Sequence, residues 1–284
     1  MASIGLVLSG GMAKGAYQIG VLQALNEFIG DGNTVYISAA SIGGLNAYAY
    51  ATNKLNDAKD MWLNHNLGGI RSLLKIFART PYVFDTIDGF NKENAKIQAG
   101  SLYVTCFNTK KRALNYIDLC KLKPSIVKDF LKASVAMPVF SKAVEISGTK
   151  YLDGALIDNI PIFPLMKHHL DYIIVIHFDK NTYKFENDYF DNKLIKINFI
   201  DDRIIKNSLS FDQSSVSVMI NSGYEQSKAI FEIIFKNGSD DFDYIYQKMA
   251  FLNAMQKDKQ LRITGDIVVN NINKVLKRIT KERN

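Results

Sequence analysis

Ser41 has the sequence surroundings of a catalytic serine. It follows a β-branched and aromatic run at residues 34–37 and precedes a helix-forming run at residues 45–51, with small residues on both sides. A serine on such a strand-to-helix turn is typical of a nucleophile elbow, because the helix N-terminus faces the negative charge that develops during acyl transfer. An ordinary N-cap serine has the same pattern, so this motif alone leaves both interpretations open.

A second motif of interest is the glycine-rich run SGGMAKG at residues 9–15, which also lies between a predicted strand and a predicted helix. Such loops expose backbone amides and bind anions. A P-loop needs Lys and Ser or Thr near its last glycine, but Ala16 follows Gly15, and a dinucleotide fingerprint needs glycine where Met12 stands. Amides at Gly11 and Met12 can instead form an oxyanion hole, and a purely structural glycine turn is the alternative.

Asp153 is the candidate base for such a serine. It ends a predicted strand and precedes Gly154. A serine hydroxyl is a poor nucleophile until a neighbouring group takes its proton, and a carboxylate can do so directly if partial burial raises its pKa. A turn aspartate before glycine is a common alternative. Asp153 therefore indicates catalysis only when it is considered together with the other two motifs.

The elements around these motifs predict an α/β fold with a mostly parallel central sheet. Short apolar or β-branched runs alternate with helical patterns in the first half of the chain, which favours parallel strands covered on both faces. We predict strands at residues 4–8, 34–37, 102–107, 113–117, 150–152, 172–178 and 194–199, and early helices at residues 16–30 and 45–51.

The pattern changes to long helices from about residue 211. One ends near Gly238, and two more cover residues 242–255 and 266–279. We therefore predict a catalytic α/β domain over residues 1–205 and a helical C-terminal region over residues 206–284 that packs on it.

Composition limits the classes of function. The chain has 284 residues, 47% hydrophobic and 22% charged, which is a globular balance. Its formal charge of +7 favours an anionic partner, either acidic lipid or nucleic acid, but nucleic acid rests on charge alone and we expect none. The two cysteines, Cys106 and Cys120, are too few for a disulfide framework or a four-cysteine metal site.

Together the motifs resemble those of the patatin-like phospholipases. The order, spacing and flanking residues agree over roughly residues 4–165. The similar segments are the glycine-rich run at residues 6–18 (LVLSGGMAKGAYQ), the nucleophile run at 40–47 (ASIGGLNA), the stretch at 133–140 (ASVAMPVF), the aspartate motif at 153–155 (DGA) and the N-x-P ending within 158–161 (DNIP).

This resemblance implies a three-layer α/β/α fold and hydrolysis of lipid acyl esters by a Ser-Asp dyad. Ser41 would form an acyl-enzyme, and Asp153 would act as general base. The oxyanion and substrate-binding loop would comprise Gly10, Gly11, Met12, Lys14 and Gly15, with Lys14 steadying the loop or meeting a lipid phosphate. Ala39, Gly43, Gly154 and Ala155 would support the motifs. The resemblance implies no cofactor and no metal.

Two residues depart from the family pattern, which usually has glycine at the positions of Ala39 and Met12. Ala39 adds one methyl group beside a tight crossing. Met12 adds a whole side chain beside the oxyanion loop, where it would narrow the acyl site or tilt an amide. These changes motivate one alternative, a non-catalytic lipid-binding protein on the same fold.

A Ser-His-Asp esterase is the other alternative, because the chain order Ser41, Asp153, His177 suits an α/β-hydrolase. However, His177 lies inside the apolar run IIVIHF, which is typical of a buried strand. Ser41 also follows only two predicted strands, too few for that fold.

The expected partner is a lipid ester substrate, a phospholipid at a membrane surface. The N-terminus lacks a basic segment and a long apolar run, so we expect no conventional signal peptide and no transmembrane segment. The expected location is cytoplasmic or peripheral to a membrane, with signal-independent secretion left open. Residues 70–79 combine basic and apolar side chains, and the tail from Asn273 has its basic residues on a helical pattern with apolar ones. Both segments suit contact with an anionic bilayer, and a core-packed helix with a solvated face is the alternative for the tail. The oligomeric state is not predicted.

Overall fold

Eight strands form one mixed sheet in the computed structural model, which describes residues 1–29, 33–63, 87, 96–138, 141–178, 193–199 and 213–255. The strand order is β5-β6-β3-β2-β1-β7-β8, and β4 also pairs with β3. The strands are β1 (Ser3–Leu8), β2 (Thr34–Ala39), β3 (Ser101–Asn108), β4 (Ala113–Asp118), β5 (Val144–Ile146), β6 (Thr149–Asp153), β7 (Tyr172–His177) and β8 (Leu194–Asn198).

The helices follow the strands in the order expected of an α/β protein. Within the described ranges they are α1 (Gly15–Phe28), α2 (Ile42–Ala51), α3 (Leu55–Leu63), α4 (Pro124–Ser134), α5 (Gln213–Ile234) and α6 (Phe242–Met255). Short 3-10 helices occupy Met12–Lys14, Leu119–Lys121 and Phe163–Lys167. The α/β class predicted from sequence is confirmed.

The centre of the sheet is parallel, as predicted. β1 pairs in parallel with β2 on one side and β7 on the other, and the β2–β3 and β7–β8 pairs are also parallel. All six residues of β7 are buried, which is typical of a parallel strand covered on both faces. Helices α1 and α2 pack on one face, and the 3-10 helix Phe163–Lys167 contributes Leu165 to the core of the other.

The long strand β3 determines how the two halves of the candidate site meet. β4 pairs with β3 along Tyr103–Asn108. A strand has two edges, so β2 and β6 must share the other one. β2 runs parallel to β3 and ends with Ala39 opposite Val104, whereas β6 runs antiparallel and ends with Asp153 opposite Cys106. The C-terminal ends of β2 and β6 therefore point toward each other along one edge.

Helix α5 packs on α1 through two glycines. A Cβ on Gly20 would lie 2.0 Å from the Ile220 carbonyl oxygen, and one on Gly223 would lie 2.2 Å from the Tyr17 carbonyl oxygen. The two backbones thus touch directly, and any larger residue at either position would push the helices apart. This contact attaches the C-terminal helices to the first helix of the α/β unit.

Several elements differ from the sequence prediction. The predicted strands are all present, with ends shifted by one or two residues, but α3, α4 and the three-residue β5 were not predicted. The prediction of a helix at residues 266–279 falls outside the described residues. So do the basic segments at 70–79 and from Asn273, and the boundary between residues 205 and 206. These stay predictions.

Candidate active site

Ser41 occupies a strained turn between β2 and α2. Its backbone has φ 53° and ψ −131°, a region that residues with a Cβ rarely adopt and that is concentrated at functional sites. Its side chain makes no capping hydrogen bond to the helix, so the N-cap interpretation does not describe how the hydroxyl is used. The residue is buried, with 8% exposure.

Gly43 permits this turn to press against the end of β1. A Cβ at this position would lie 2.6 Å from the Leu8 carbonyl oxygen and 2.8 Å from that of Ser9. The Ala40 amide donates to the same Leu8 oxygen at 3.0 Å. Ala39, where the resemblance noted in the sequence would imply glycine, is fully buried at the end of β2 and pairs with Leu8. The sheet therefore accommodates its methyl group.

Asp153 meets Ser41 directly. The Ser41 hydroxyl donates a hydrogen bond to the Asp153 carboxylate, and the Ala155 amide donates to Asp153 Oδ1 at 2.8 Å. The Gly154 amide donates to the Thr105 carbonyl at 3.4 Å, which fixes the turn after β6 against β3. Burial raises the pKa of Asp153 to about 7, although the hydrogen bonds from Ser41 and Ala155 oppose the rise. A carboxylate with this pKa can accept the serine proton near neutral pH.

The glycine-rich loop lies beside Ser41. A Cβ on Gly10 would be 3.0 Å from Ser41 Cβ and 2.5 Å from Asn159 Oδ1, so only glycine allows the loop to come this close. Gly10 and Asn159 form a reciprocal pair, because the Gly10 amide donates to the Asn159 carbonyl at 3.3 Å and Asn159 Nδ2 donates to the Gly10 carbonyl at 3.2 Å.

This pairing changes which amides can receive an oxyanion. The Gly10 amide, predicted from sequence as one of the donors, is already engaged. The amides of Gly11 and Met12 have no hydrogen-bond acceptor among the described residues, and the same is true of Ile42, which follows Ser41 at the start of α2. An oxyanion hole made of the amide after the nucleophile and amides from a neighbouring loop is the arrangement known for nucleophile elbows.

Met12 and Lys14 have distinct places in the loop. Met12 has φ 54°, in the left-handed region where glycine has no steric penalty. Lys14 Nζ lies 5.7 Å from the centre of the Phe178 ring, within cation–π range. A Cβ on Gly11 would lie 2.5 Å from the same ring, so Phe178, the residue after β7, packs against the loop.

A buried chain of side-chain amides holds both ends of this loop. Gln18 Nε2 donates to the Ser9 carbonyl at 2.7 Å, and Asn46 Nδ2 donates to the Gly15 carbonyl at 2.9 Å. Asn46 Nδ2 also donates to Gln18 Oε1 at 2.9 Å, and Trp62 Nε1 donates to Asn46 Oδ1 at 3.1 Å. Gln18 and Asn46 are fully buried, where each unmet hydrogen bond would be costly.

The Gln18, Asn46 and Trp62 network was not predicted from the sequence. Its members come from α1, α2 and α3, and Trp62 also limits the space at Gly15, where an added Cβ would be 2.9 Å from its ring. The buried glutamine and asparagine at helical positions were the available signal, since such residues are rarely buried without partners.

His177 stands apart from the Ser41–Asp153 pair. It ends β7, which is separated from β2 by β1 and from β6 by β1, β2 and β3. Ser41 bonds directly to Asp153, whereas a triad requires a histidine between the two. This arrangement argues against the Ser-His-Asp interpretation.

Neither a metal centre nor a membrane-spanning helix is found in the part of the chain that the structure describes. No three His, Cys, Asp or Glu side chains there come together as metal ligands would. No described helix combines the length and apolar character needed to cross a bilayer.

Comparison with known proteins supplies a family. The model of the patatin-like phospholipase family matches residues 6–166, which contain all three motifs. No curated protein matches the chain. Among solved structures, VipD from Legionella pneumophila is 13% identical, with a TM-score of 0.43 over 97% of this chain and 85% of that one. The ExoU–SpcU heterodimer from the type III secretion system of Pseudomonas aeruginosa gives 17% identity and a TM-score of 0.33, over 89% of this chain and 59% of that one.

Proposed function

The chain belongs to the patatin-like phospholipase family, and we propose that it cleaves lipid acyl esters with Ser41 as nucleophile and Asp153 as general base. Family membership makes the protein a lipid acyl hydrolase with lipid ester substrates. The dyad, the covalent intermediate and a phospholipid substrate at a membrane surface are the finer parts of the proposal.

The observation that carries the proposal is the position of Ser41 and the buried Asp153 at the facing ends of β2 and β6, where the Ser41 hydroxyl is a hydrogen-bond donor to the carboxylate. In the first step Asp153 accepts the hydroxyl proton as Ser41 Oγ attacks the ester carbonyl carbon. Burial supports this role because it raises the pKa of Asp153 to about 7, so the carboxylate is a stronger base than an exposed one and about half of it is ionised at neutral pH.

The tetrahedral intermediate needs hydrogen-bond donors for its oxyanion. We assign this role to the amides of Gly11, Met12 and Ile42, which are unpaired among the described residues. Donors fixed in place before the reaction stabilise developing charge without reorganisation. Collapse of the intermediate breaks the ester C–O bond, and protonated Asp153 returns the proton to the leaving alcohol.

The second half of the cycle reverses these roles. Asp153 accepts a proton from a water molecule, whose oxygen attacks the acyl carbon on Ser41, and the proton then returns to Ser41 Oγ as the free fatty acid forms. One carboxylate thus serves both half-reactions. An alcohol in place of water would give acyl transfer by the same route.

The domain arrangement follows as part of the proposal. We assign the catalytic unit to residues 1–205 and a helical region to residues 206–284. Support comes from the Gly20–Gly223 contact, through which α5 packs on α1, the helix that follows the glycine-rich loop.

Hydrolysis assays on purified variants test this function. We expect wild type to release fatty acid from phospholipid vesicles and from a short soluble ester. Ser41→Ala and Asp153→Asn should each reduce kcat by about 10⁴-fold or more, while His177→Ala keeps the dyad intact and retains activity. Loss of activity in folded His177→Ala would favour a triad. No hydrolysis by wild type would favour the non-catalytic lipid-binding alternative.

A further inference from the structure

We propose that the hairpin β3–β4, together with the segment that follows Asp153, forms a docking surface for an anionic bilayer. We call these residues the hairpin face: the turn 109–112, Lys150, and the exposed apolar side chains of Leu156 and Phe163. The inference rests on the proposed function, because it identifies the face by which the hydrolase reaches its lipid.

The hairpin extends past the end of the parallel sheet. β2 stops opposite Val104, yet β3 continues to Asn108 before the chain turns back into β4. Asp153 lies opposite Cys106, so the turn is about 10 Å beyond it at the usual rise per strand residue. The tip therefore projects beyond the C-terminal ends of the parallel strands, which is the end of the sheet that carries Ser41 and Asp153.

The tip of the hairpin presents three adjacent cations. Lys110, Lys111 and Arg112 are all exposed and, among the described residues, form no ion pair. The turn is rigid, because the amides of Lys110 and Lys111 donate to the buried Asn108 Oδ1 at 3.1 and 2.9 Å. The Thr109 amide and hydroxyl both donate to the Lys150 carbonyl at 3.0 Å. This brings exposed Lys150 next to the cluster.

Charge across the surrounding segment is strongly asymmetric. Residues 110–167 contain ten Lys and Arg against five Asp and Glu. Of the five acids, Asp153 is buried in the site and Asp158 accepts a hydrogen bond from Tyr116 at 2.6 Å, whereas exposed Glu145 lies opposite Lys150 in the β5–β6 pair. At the tip itself the exposed cations Lys110, Lys111, Arg112 and Lys150 outnumber Glu145, so an anionic surface would be attracted to the tip.

Apolar side chains are exposed on the flank of the same hairpin. Phe163 is 61% exposed and Leu156 is 42% exposed. The Phe163 ring centre lies 6.0 Å from that of Tyr116 on β4. Leu156 is three residues after Asp153. Exposed apolar residues beside fixed cations are what an interfacial protein uses to enter the headgroup layer.

The occupant that fits this combination is an anionic bilayer rather than nucleic acid. Cations alone suit either polyanion, but large apolar side chains gain free energy only by leaving water. Docking on this face would set the Ser41–Asp153 pair beside the lipid surface. The distance that a lipid must travel to reach the nucleophile would then be short.

The test measures binding to sedimentable vesicles of phosphatidylcholine with increasing phosphatidylserine, at low and high salt. All variants carry Ser41→Ala, so that binding is separated from hydrolysis. We expect Lys111→Glu to weaken partitioning about fivefold or more, because each cation near an anionic surface strengthens binding by about that factor. The triple variant K110Q/K111Q/R112Q should weaken it at least tenfold.

Matched controls come from exposed residues that lie outside the hairpin face. Lys236→Glu makes the same charge change at an exposed lysine beside Ser239, whose Oγ is bonded to Asn33 near the start of β1. For the apolar flank, Phe163→Asp is compared with Val218→Asp on α5, since the two side chains are 61% and 62% exposed. We expect the hairpin variants to lose binding and their controls to retain it.

Three results would overturn the proposal: equal loss in Lys111→Glu and Lys236→Glu, vesicle binding that is independent of phosphatidylserine, or retention on a single-stranded oligonucleotide with none on vesicles. Hydrolysis of a short soluble ester, measured with Ser41 intact, separates this proposal from the proposed function. Lys111→Glu should leave that rate unchanged. A wild type that binds vesicles but cleaves neither substrate contradicts the function and supports the docking surface.

Discussion

Two strand-to-helix connections lie at the site, one from β1 to α1 and one from β2 to α2, and we call them crossings. Each has an unusual backbone conformation, but the two are held in place by different contacts. Both contain a residue other than glycine in the left-handed region, Met12 with φ 54° after β1 and Ser41 with φ 53° after β2. The Ser41 turn is short and fixed by backbone contact, since Gly43 sits against the carbonyls of Leu8 and Ser9. The longer loop around Met12 is fixed by buried side chains, with Gln18 and its partners bonded to carbonyls at both ends.

This difference corresponds to the kind of group that each crossing contributes to the proposed mechanism. The β2 turn delivers one side-chain oxygen, which a rigid backbone can aim without further support. The β1 loop delivers backbone amides, whose direction changes whenever a neighbouring peptide rotates, so carbonyls on either side must be held. Disturbing the first crossing should therefore damage the fold and the site together, whereas disturbing the second should damage catalysis more than stability.

The largest effect on stability is expected from a change at Asp153, which lies at the end of β6 and faces Ser41. Its folded pKa of about 7 lies above the unfolded value near 4, so between these pH values the folded state holds a proton that the unfolded state has lost. Stability is therefore full below about pH 4 and declines as pH rises through 7. Asp153→Asn should remove this decline and be more stable than wild type at pH 8, by up to about 4 kcal/mol.

Urea unfolding at pH 5 and pH 8 measures this difference. Asp57→Asn, which removes an exposed carboxylate on α3, serves as the charge control. Equal pH dependence in wild type and Asp153→Asn would show that Asp153 is not buried as described.

Gly43→Ala should distort the short crossing, which is the Ser41 turn between β2 and α2. The added Cβ would approach two carbonyl oxygens at 2.6 and 2.8 Å, and neither can move without shifting β1. We expect a loss of about 3 kcal/mol of stability together with most of the activity. Gly44→Ala is the matched control, because its Cβ would meet the Val104 and Ser134 side chains at 3.2 and 3.3 Å. It should change stability by less than about 1 kcal/mol, and similar melting temperatures for both variants would contradict the backbone argument.

Asn46→Ala should disturb the longer crossing. It removes the side-chain donor to the Gly15 carbonyl and the acceptor for Trp62 Nε1, and the loss of these buried hydrogen bonds should cost about 2 kcal/mol. Displaced amides should lower kcat about a hundredfold with little change in KM. Gln18→Ala and the double variant complete a mutant cycle. Strongly non-additive effects on kcat are expected, and simple additivity would contradict a single network.

Met12→Gly should give the smallest change in stability. Comparison with Ser41→Gly distinguishes the turn at Met12 from the turn at Ser41. Relief of left-handed strain favours the variant by about 1–2 kcal/mol, while the greater freedom of glycine in the unfolded chain offsets about half of it. We expect a gain of up to about 1 kcal/mol with activity retained. Ser41→Gly should be similarly stable and inactive. A marked loss of stability in Met12→Gly would show that the methionine side chain, rather than the loop backbone, holds this crossing.

The reactive residues of the site are easier to predict from the sequence than the contacts that hold them in position. Ser41, Asp153 and the glycine-rich run are recognisable as candidates because the three motifs occur together in a family-like order, and all three fall within the family match over residues 6–166. The pairing of Gly10 with Asn159, 149 residues later, depends on strand order and register, which local patterns do not encode. The prediction therefore included the Gly10 amide among the oxyanion donors and omitted Ile42, which became a candidate only once the turn was seen.

The same limit explains the missing elements of the fold. β5 has only three residues, too few for a period-two pattern to emerge, and it gains its place by pairing with β6. Helix α4 begins with Pro124 at its first position, a signal that was available. The way β2 and β6 share one edge of β3 is a tertiary property, and it is what joins Ser41 to Asp153.

Covalent labelling with a fluorophosphonate tests the central claim most directly, because such probes react with a serine whose hydroxyl is activated by a base. Wild type, Ser41→Ala and Asp153→Asn would be labelled at several pH values and mapped by peptide mass spectrometry. We predict one adduct, on Ser41, whose rate of formation rises with pH and levels off above about pH 7, and a rate at least a hundredfold lower in Asp153→Asn. Labelling of Ser41 that is equally fast in Asp153→Asn, or an adduct on another serine, would contradict the proposed dyad.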